Sequence, residues 1–298
     1  MTTDARPASR VTVVGSVNQD VSLHVARIPG PGETVLARSS SVAAGGKGAN
    51  QACAVARAGA GCVLVGAVGE DAAGAMLADA LQQRGVSLER LLRLPGVESG
   101  GATVLVDDHG ENCIVVTGGA NAALTPDQVT AALQQLDDVG VVLTQGELSP
   151  ECVAAAAAHA EQVGARFVHN LAPYREVPAP LLALCDPLVV NEHEAADLAA
   201  GLGGGAGSPE ALLTLLQQHC RSVVITLGGD GAAYSSPAGS GRRSSEKVTV
   251  VDTTGAGDAF VGAAVAALLV DDDLGRACQA GAAAGAAAVQ HRGALPEL

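Results

Sequence analysis

Aromatic side chains are almost missing: 1% of 298 residues, with no tryptophan, two tyrosines and two phenylalanines. Hydrophobic residues still make up 48% of the chain, so a large core is available but must be built from Ala, Val and Leu. Positive charge is the second scarcity. Seventeen Lys and Arg stand against 31 Asp and Glu, a formal net charge of −14. That balance argues against a nucleic-acid backbone or an anionic membrane surface as partner. It does not exclude a phosphate ligand held by local backbone donors and bound cations. Met1 to Arg10 is polar and no apolar run approaches ~20 residues, so neither a leader peptide nor a membrane span is visible, and a cytoplasmic location is expected. The seven cysteines (Cys53, Cys62, Cys113, Cys152, Cys185, Cys220, Cys278) are scattered, odd in number and without a CxxC pair. Buried free thiols are expected rather than a zinc site. No internal repeat is present.

What the chain does have is alternation. Short apolar runs predict strands at 11–14, 63–67, 141–144, 166–169, 187–190 and 223–227. Helical periodicity lies between them, opening within Gly45 to Asn50 and running through about Ala58, then at 74–84, and at 258–270 and 275–289 near the end. Strands alternating with helices imply one domain over 1–298, with a mostly parallel sheet covered on both faces. Two stretches break the pattern. Residues 21–25 and 34–42 surround the turn Pro29-Gly30-Pro31-Gly32, and 101–106 and 112–116 flank Asp107-Asp108-His109-Gly110. These are expected to form a separate small sheet, over about 20–44 and 99–117. Gly239 to Glu246 reads as a polar hairpin tip.

The richest stretch is Val251-Asp252-Thr253-Thr254-Gly255-Ala256-Gly257-Asp258-Ala259-Phe260. The β-prone run Lys247 to Val251 predicts a strand, then a tight turn and a helix N-terminus. Backbone N–H groups of Gly255, Ala256 and Gly257 would lack intrahelical partners there and point at an anion, above all a phosphate. Asp258 sits just inside. A carboxylate aimed at the same spot as an anion hole suits proton abstraction during phosphoryl transfer. A dinucleotide fingerprint would need a third glycine where Phe260 stands, and a Walker A loop would need Gly-Lys-Ser/Thr. Alone, the motif also fits a glycine turn with an acid favourable to the helix dipole. Ligands of such sheets bind beyond the carboxyl ends of the strands. Asn18, Asp20, Glu147, Asn170, Asn191, Glu194 and the 252–258 turn all follow predicted strands.

Several motifs in order carry a resemblance. They are Gly15-Ser16-Val17-Asn18-Gln19-Asp20, Pro31-Gly32-Glu33-Thr34, Gly45-Gly46-Lys47-Gly48-Ala49-Asn50-Gln51-Ala52 and Gly118-Gly119-Ala120-Asn121-Ala122-Ala123-Leu124. Asn191-Glu192-His193-Glu194, Thr226-Leu227-Gly228-Gly229-Asp230-Gly231 and Asp252 to Asp258 follow. Over essentially its whole length the chain resembles the PfkB family of carbohydrate kinases. The resemblance implies a ribokinase-like three-layer α/β/α fold with a small β-sheet lid. It also implies ATP-dependent phosphorylation of the O5 hydroxyl of D-ribose.

By that resemblance Asp258 is the base and the amides of 255–257 the anion hole. Asn18, Asp20, Gly46, Lys47, Asn50 and Glu147 match the sugar contacts, though Gln145-Gly146-Glu147-Leu148 departs from the usual wording. Thr226, Gly228, Gly231, Gly257 and Asn191 match the nucleotide side. Asn191 and Glu194 fit a motif that organises Mg²⁺ through its waters; a capping box explains the same spacing without metal. Asp252 and the Thr254 carbonyl match a K⁺ site, with Ala288, His291, Gly293 and Glu297 on the C-terminal loop. Glu297 stands where relatives carry a small or hydroxyl residue. The lid implies a homodimer. A kinase for 2-deoxyribose, another sugar or a nucleoside remains open, as does a non-catalytic sugar-binding homologue.

Overall fold

The computed structural model describes residues 9–295. The early strands and helices run β1 (Arg10–Val14), β2 (Asn18–Val25), β3 (Ala37–Gly45), α1 (Lys47–Arg57), β4 (Cys62–Gly69), α2 (Ala72–Gln83), β5 (Ser87–Leu94), β6 (Gly100–Val106) and β7 (Asn112–Thr117). Then come α3 (Gly119–Ala123), α4 (Pro126–Leu133), β8 (Val139–Gln145), α5 (Pro150–Val163), β9 (Arg166–Asn170), α6 (Ala179–Leu182), β10 (Cys185–Asn191), α7 (Glu192–Gly201) and α8 (Pro209–Leu216). The chain closes with β11 (Val223–Thr226), β12 (Ala232–Ser236), β13 (Gly239–Arg243), α9 (Ala256–Val270) and α10 (Leu274–Ala288). No described helix is long and apolar enough to cross a membrane.

The larger sheet has nine strands in the order β13-β12-β11-β10-β9-β8-β1-β4-β5. All pair in parallel except β12 and β13, which fold back antiparallel at one edge. Side chains alternate between two apolar layers, as a strand covered on both faces requires. Val11, Val13 and Leu64 face α1, α2, α9 and α10, whereas Val14, Val63 and Val65 face the layer built on α4, α5, α7 and α8. Strand order reverses at β1, which has β4 on one side and β8 on the other. A crevice opens at such a switch point, beyond the strand carboxyl ends. The second sheet, ordered β3-β2-β6-β7, is antiparallel except for the β2–β6 pair.

Three expectations need correction. Lys247 to Val251 is not a strand. Its β-branched residues find no ladder, and Val250 and Val251 are 58% and 55% exposed. The hairpin tip at 239–246 is instead largely a strand, because β13 pairs with β12 from Ala232 to Ser236. The strand expected at 21–25 begins earlier, so that Asn18 and Asp20, which follow β1 as expected, open β2 in the second sheet. Strand β5 was not expected: its burial is mixed and its charges hide the pattern.

Candidate active site

The crevice is assembled from the ends of β1, β8, β9, β10 and β11 and the N-termini of α1 and α9. Gly46 is the residue before α1 and has φ 88°, a left-handed conformation that glycine adopts without a Cβ penalty. The turn brings Lys47 N–H to Glu147, whose Oε2 accepts it at 3.0 Å. The Ser16 hydroxyl donates to the same oxygen. Glu147 is thereby drawn to the start of α1 from the loop after β8. Asp20 lies on the second sheet beside this acid. Burial, then the negative charge of Glu147, holds its carboxyl up at about 6. Asn18 is fixed by Asn121, which donates Nδ2 to Asn18 Oδ1 at 2.7 Å and accepts Val17 N–H at 2.9 Å.

Asp258 is 6% exposed, in the first turn of α9. Each carboxylate oxygen takes one amide: Asn50 Nδ2 donates to Oδ2 and Gln51 Nε2 to Oδ1, both at 2.9 Å. Gln51 Nε2 also donates to Asn170 Oδ1 at 2.9 Å, and Gln51 Oε1 accepts from Gln145 Nε2 at 2.8 Å. Gln145 ends β8 and Asn170 ends β9, paired in register. Burial is the main influence on Asp258 and raises its carboxyl above the usual range; the charge of Lys47 and the two amide donors oppose it, and Glu147 adds to it. Asn50 Oδ1 is buried with no partner among the described residues. That leaves an acceptor beside the carboxylate.

The turn before α9 differs from expectation in one donor. Ala256 N–H turns back to the Thr253 carbonyl at 3.2 Å, which closes the turn and removes that N–H from the expected anion hole. Among the described residues, the N–H groups of Gly255 and Gly257 have no such partner. Gly255 has φ 76°, and a Cβ there would stand 2.6 Å from Ala294 Cα on the C-terminal loop.

Asn191 and Thr226 are register partners at the ends of β10 and β11. The loop after β11 turns at Gly228 (φ 54°) and Gly231 (φ 94°). Asn191 and Glu194 form the full capping box. Asn191 Oδ1 accepts Glu194 N–H and Glu194 Oε2 accepts Asn191 N–H, both at 2.8 Å. Burial raises the Glu194 carboxyl while the Asn191 N–H and the charge of Lys47 lower it. Lys47 therefore acts on both Glu194 and Asp258, which joins the two halves of the crevice. Asp252 accepts from Thr254 N, Thr254 Oγ1 and Gly293 N at 2.9, 2.7 and 2.9 Å, tying the turn to the C-terminal loop. The Ala288 carbonyl takes the His291 N–H at 3.1 Å. Glu297 lies outside the described residues.

Sequence reading passed over Ser16, Gln51, Asn121 and Gln145 and gave Asn170 no role. Their signal is a polar residue in an otherwise apolar setting: Gln145 and Asn170 end buried strands, and Gln51 is fully buried in a helix whose first turn faces the crevice.

A buried carboxylate at a helix N-terminus, beside a lysine and at the switch point of a doubly wound sheet, defines a class: α/β phosphotransferases acting on an alcohol group. The pfkB family carbohydrate kinase model matches residues 8–297, and the chain belongs to that family. It is 34% identical over 303 residues to the ribokinase of Schizosaccharomyces pombe, covering 97% of this chain and 94% of that protein. It is also 34% identical over 267 residues to the bifunctional ribokinase/ribose-5-phosphate isomerase A of Fructilactobacillus sanfranciscensis, covering 88% of this chain and 49% of that larger protein. The structure of Arabidopsis thaliana ribokinase complexed with ribose and ATP superposes with a TM-score of 0.89 at 30% identity, covering 98% of this chain and 96% of that one.

Proposed function

We propose that this protein is an ATP-dependent ribose kinase that phosphorylates the O5 hydroxyl of D-ribose, with Asp258 as base. The observation that carries the reading is the Asp258 carboxylate, buried in the first turn of α9 with one amide on each oxygen. The sugar O5 attacks the γ-phosphorus and its proton passes to Asp258. The new bond is O5–P; the bond from the γ-phosphorus to the β,γ-bridging oxygen breaks, and ADP leaves with that electron pair. The free N–H groups of Gly255 and Gly257, at the positive end of α9, face the charge on the transferred phosphoryl group. Asn18, Asp20, Gly46, Lys47, Asn50 and Glu147 hold the sugar; the unpartnered Asn50 Oδ1 suits a hydroxyl donor. Asn191, Thr226, Gly228 and Gly231 line the nucleotide side.

Magnesium keeps several waters and takes few protein ligands. Glu194 fits that role, since its Oε2 serves the cap and its Oε1 has no hydrogen-bond partner among the described residues. When bound, the ion neutralises phosphate charge. For K⁺, Asp252 retains lone-pair capacity beyond its three donors and the Thr254 carbonyl has no backbone partner among the described residues. Ala288, His291 and Gly293 supply the neighbouring loop. Such a carbonyl-rich site suits a cation of low charge density. The second sheet forms a lid that excludes water, and its paired copies a dimer; the protein acts in the cytoplasm.

The test is ADP release from MgATP with D-ribose, 2-deoxyribose, fructose and adenosine, each with and without K⁺. Turnover on ribose that rises with K⁺ is expected. Turnover only on another substrate discards ribose, and silence from folded protein discards catalysis. Asp258→Asn should abolish turnover and leave ribose and ATP binding within about threefold of the parent.

A further inference from the structure

Beside the α1–α9 crossing lies a cavity of about 400 Å³, bounded by α1, α9, α10 and the C-terminal loop. Its walls are mostly apolar and include small side chains such as Cys53, Ala263 and Ala284, together with Leu295 and His291. Arg57 and Arg84 also line it, and none of the described lining residues is acidic. In a chain of net charge −14 that is an unusual composition. Six of the fourteen described arginines, Arg10, Arg27, Arg38, Arg166, Arg242 and Arg276, pair with carboxylates. Arg57 and Arg84 have no carboxylate partner among the described residues. Arg84 commits only Nη1, to the Ala80 carbonyl at 3.0 Å. Its charge reaches the Cys53 thiol in the cavity wall, opposing the burial that pushes that thiol up to about 12.

A guanidinium left without a protein acid keeps a planar set of donors matched to a carboxylate. A cavity of this volume, largely apolar with two arginines in its lining, has the make-up of a small-molecule site. We propose that this cavity is a second binding site, for an organic anion with a compact apolar body and a carboxylate held by Arg57 and Arg84. Inorganic anions do not fit the composition, because they would leave the alanine walls facing water. The cavity is also lined by Asn50, which holds Asp258, and by Ala259, which follows it. An occupant therefore touches both helices that meet at the crevice. Ala288 and His291, named above on the K⁺ loop, line it as well, so the cavity adjoins the site read as the kinase centre.

Because the chain has no tryptophan, a fluorescent aryl acid can be followed without overlap from the protein. The experiment is fluorescence anisotropy of 2-naphthoate titrated with the full chain, in the presence and absence of MgATP. Saturable one-to-one binding that weakens with added salt and persists with MgATP is expected. The double substitution Arg57→Ala, Arg84→Ala should weaken it more than about tenfold, since charge-assisted bonds are lost. Ala284→Phe, which fills the cavity, should abolish it, and the neutral analogue 2-acetylnaphthalene should bind more than about tenfold more weakly. Circular dichroism establishes that each variant is folded, and either variant alone suffices if the other is not. Absence of saturable binding overturns the proposal. So does unchanged affinity in a folded variant, equal binding of the neutral analogue, or displacement by MgATP, which would place the probe in the nucleotide groove.

Discussion

At the scale of single residues, the decisive feature is an amide shared between two acceptors. Gln51 Nε2 serves both Asp258 Oδ1 and Asn170 Oδ1, while its own oxygen takes Gln145. All four groups are buried. Leucine in place of Gln51 keeps the volume and removes every one of these bonds. Gln51→Leu is expected to cost roughly 1–3 kcal/mol of stability, the penalty for unpaired buried polar groups. It should also lower kcat at least tenfold with little change in KM for ribose. The acid limb of the kcat–pH profile should move up, because a donor that lowers the Asp258 carboxyl is gone. A merely structural role would lower the melting temperature and leave that limb in place.

Asp20 gives a second residue-scale prediction. Its carboxyl is raised to about 6, so the folded chain binds that proton more tightly than the unfolded chain. The stabilising contribution is present at low pH and is lost as pH rises from 3.8 to about 6. Asp20→Asn should therefore raise the melting temperature at pH 7. Sugar hydroxyls need the ionised form as acceptor, so the Kd for ribose should rise as pH falls below about 6, by up to tenfold per unit. Calorimetric titration between pH 5 and 8 checks this; a flat profile removes Asp20 from the sugar site.

At the scale of elements, the crossing of α1 and α9 sets the geometry. Gly262 is the contact: a Cβ there would stand 2.4 Å from Ala54 Cβ and 2.8 Å from the Gln51 carbonyl. Alanine normally gains about 1 kcal/mol over glycine inside a helix. Overpacking costs typically 1–3 kcal/mol, so the clash wins. Gly262→Ala should lower the melting temperature, and by parting Gln51 from Asp258 it should reduce kcat more than it weakens ATP binding. Thermal melts with steady-state kinetics test this; a more stable, fully active variant would show that the helices part freely. The same scale explains the missing strand before α9. Residues 247–251 have strand propensity, but no described strand of either sheet pairs with them. Val251 instead donates its N–H to the Val289 carbonyl at 2.7 Å, at the end of α10.

For the whole molecule, the second sheet leaves apolar residues in water. Val42 on β3 and Ile114, Val115 and Val116 on β7 are 58, 55, 58 and 66% exposed. β3 and β7 are the two edges of that sheet. Exposed apolar edge strands favour pairing with another copy. Sedimentation should show a dimer that Val115→Glu dissociates at least tenfold more readily. A monomeric parent chain would remove the lid-paired dimer.

The local features were legible in the residues. Alternating apolar runs and helical segments determined a layered α/β fold, because burial on both faces demands continuous apolar strands and one apolar stripe per helix. Glycines beside Asp258 located a helix start. Sequence also located Asn191 and Glu194, since their bonds span three residues and form within one helical turn. What tertiary structure alone decided has contacts far apart in the chain. Asp258 meets Gln51 from 207 residues away, and Glu147 meets the start of α1 from 100. No local periodicity encodes such a meeting. Nor could propensity show that 247–251 stays out of the sheet, since a strand exists only where a neighbour offers its backbone. The cavity between α1, α9 and α10 is the clearest case: small side chains, scattered in sequence, leave space only once the helices are packed.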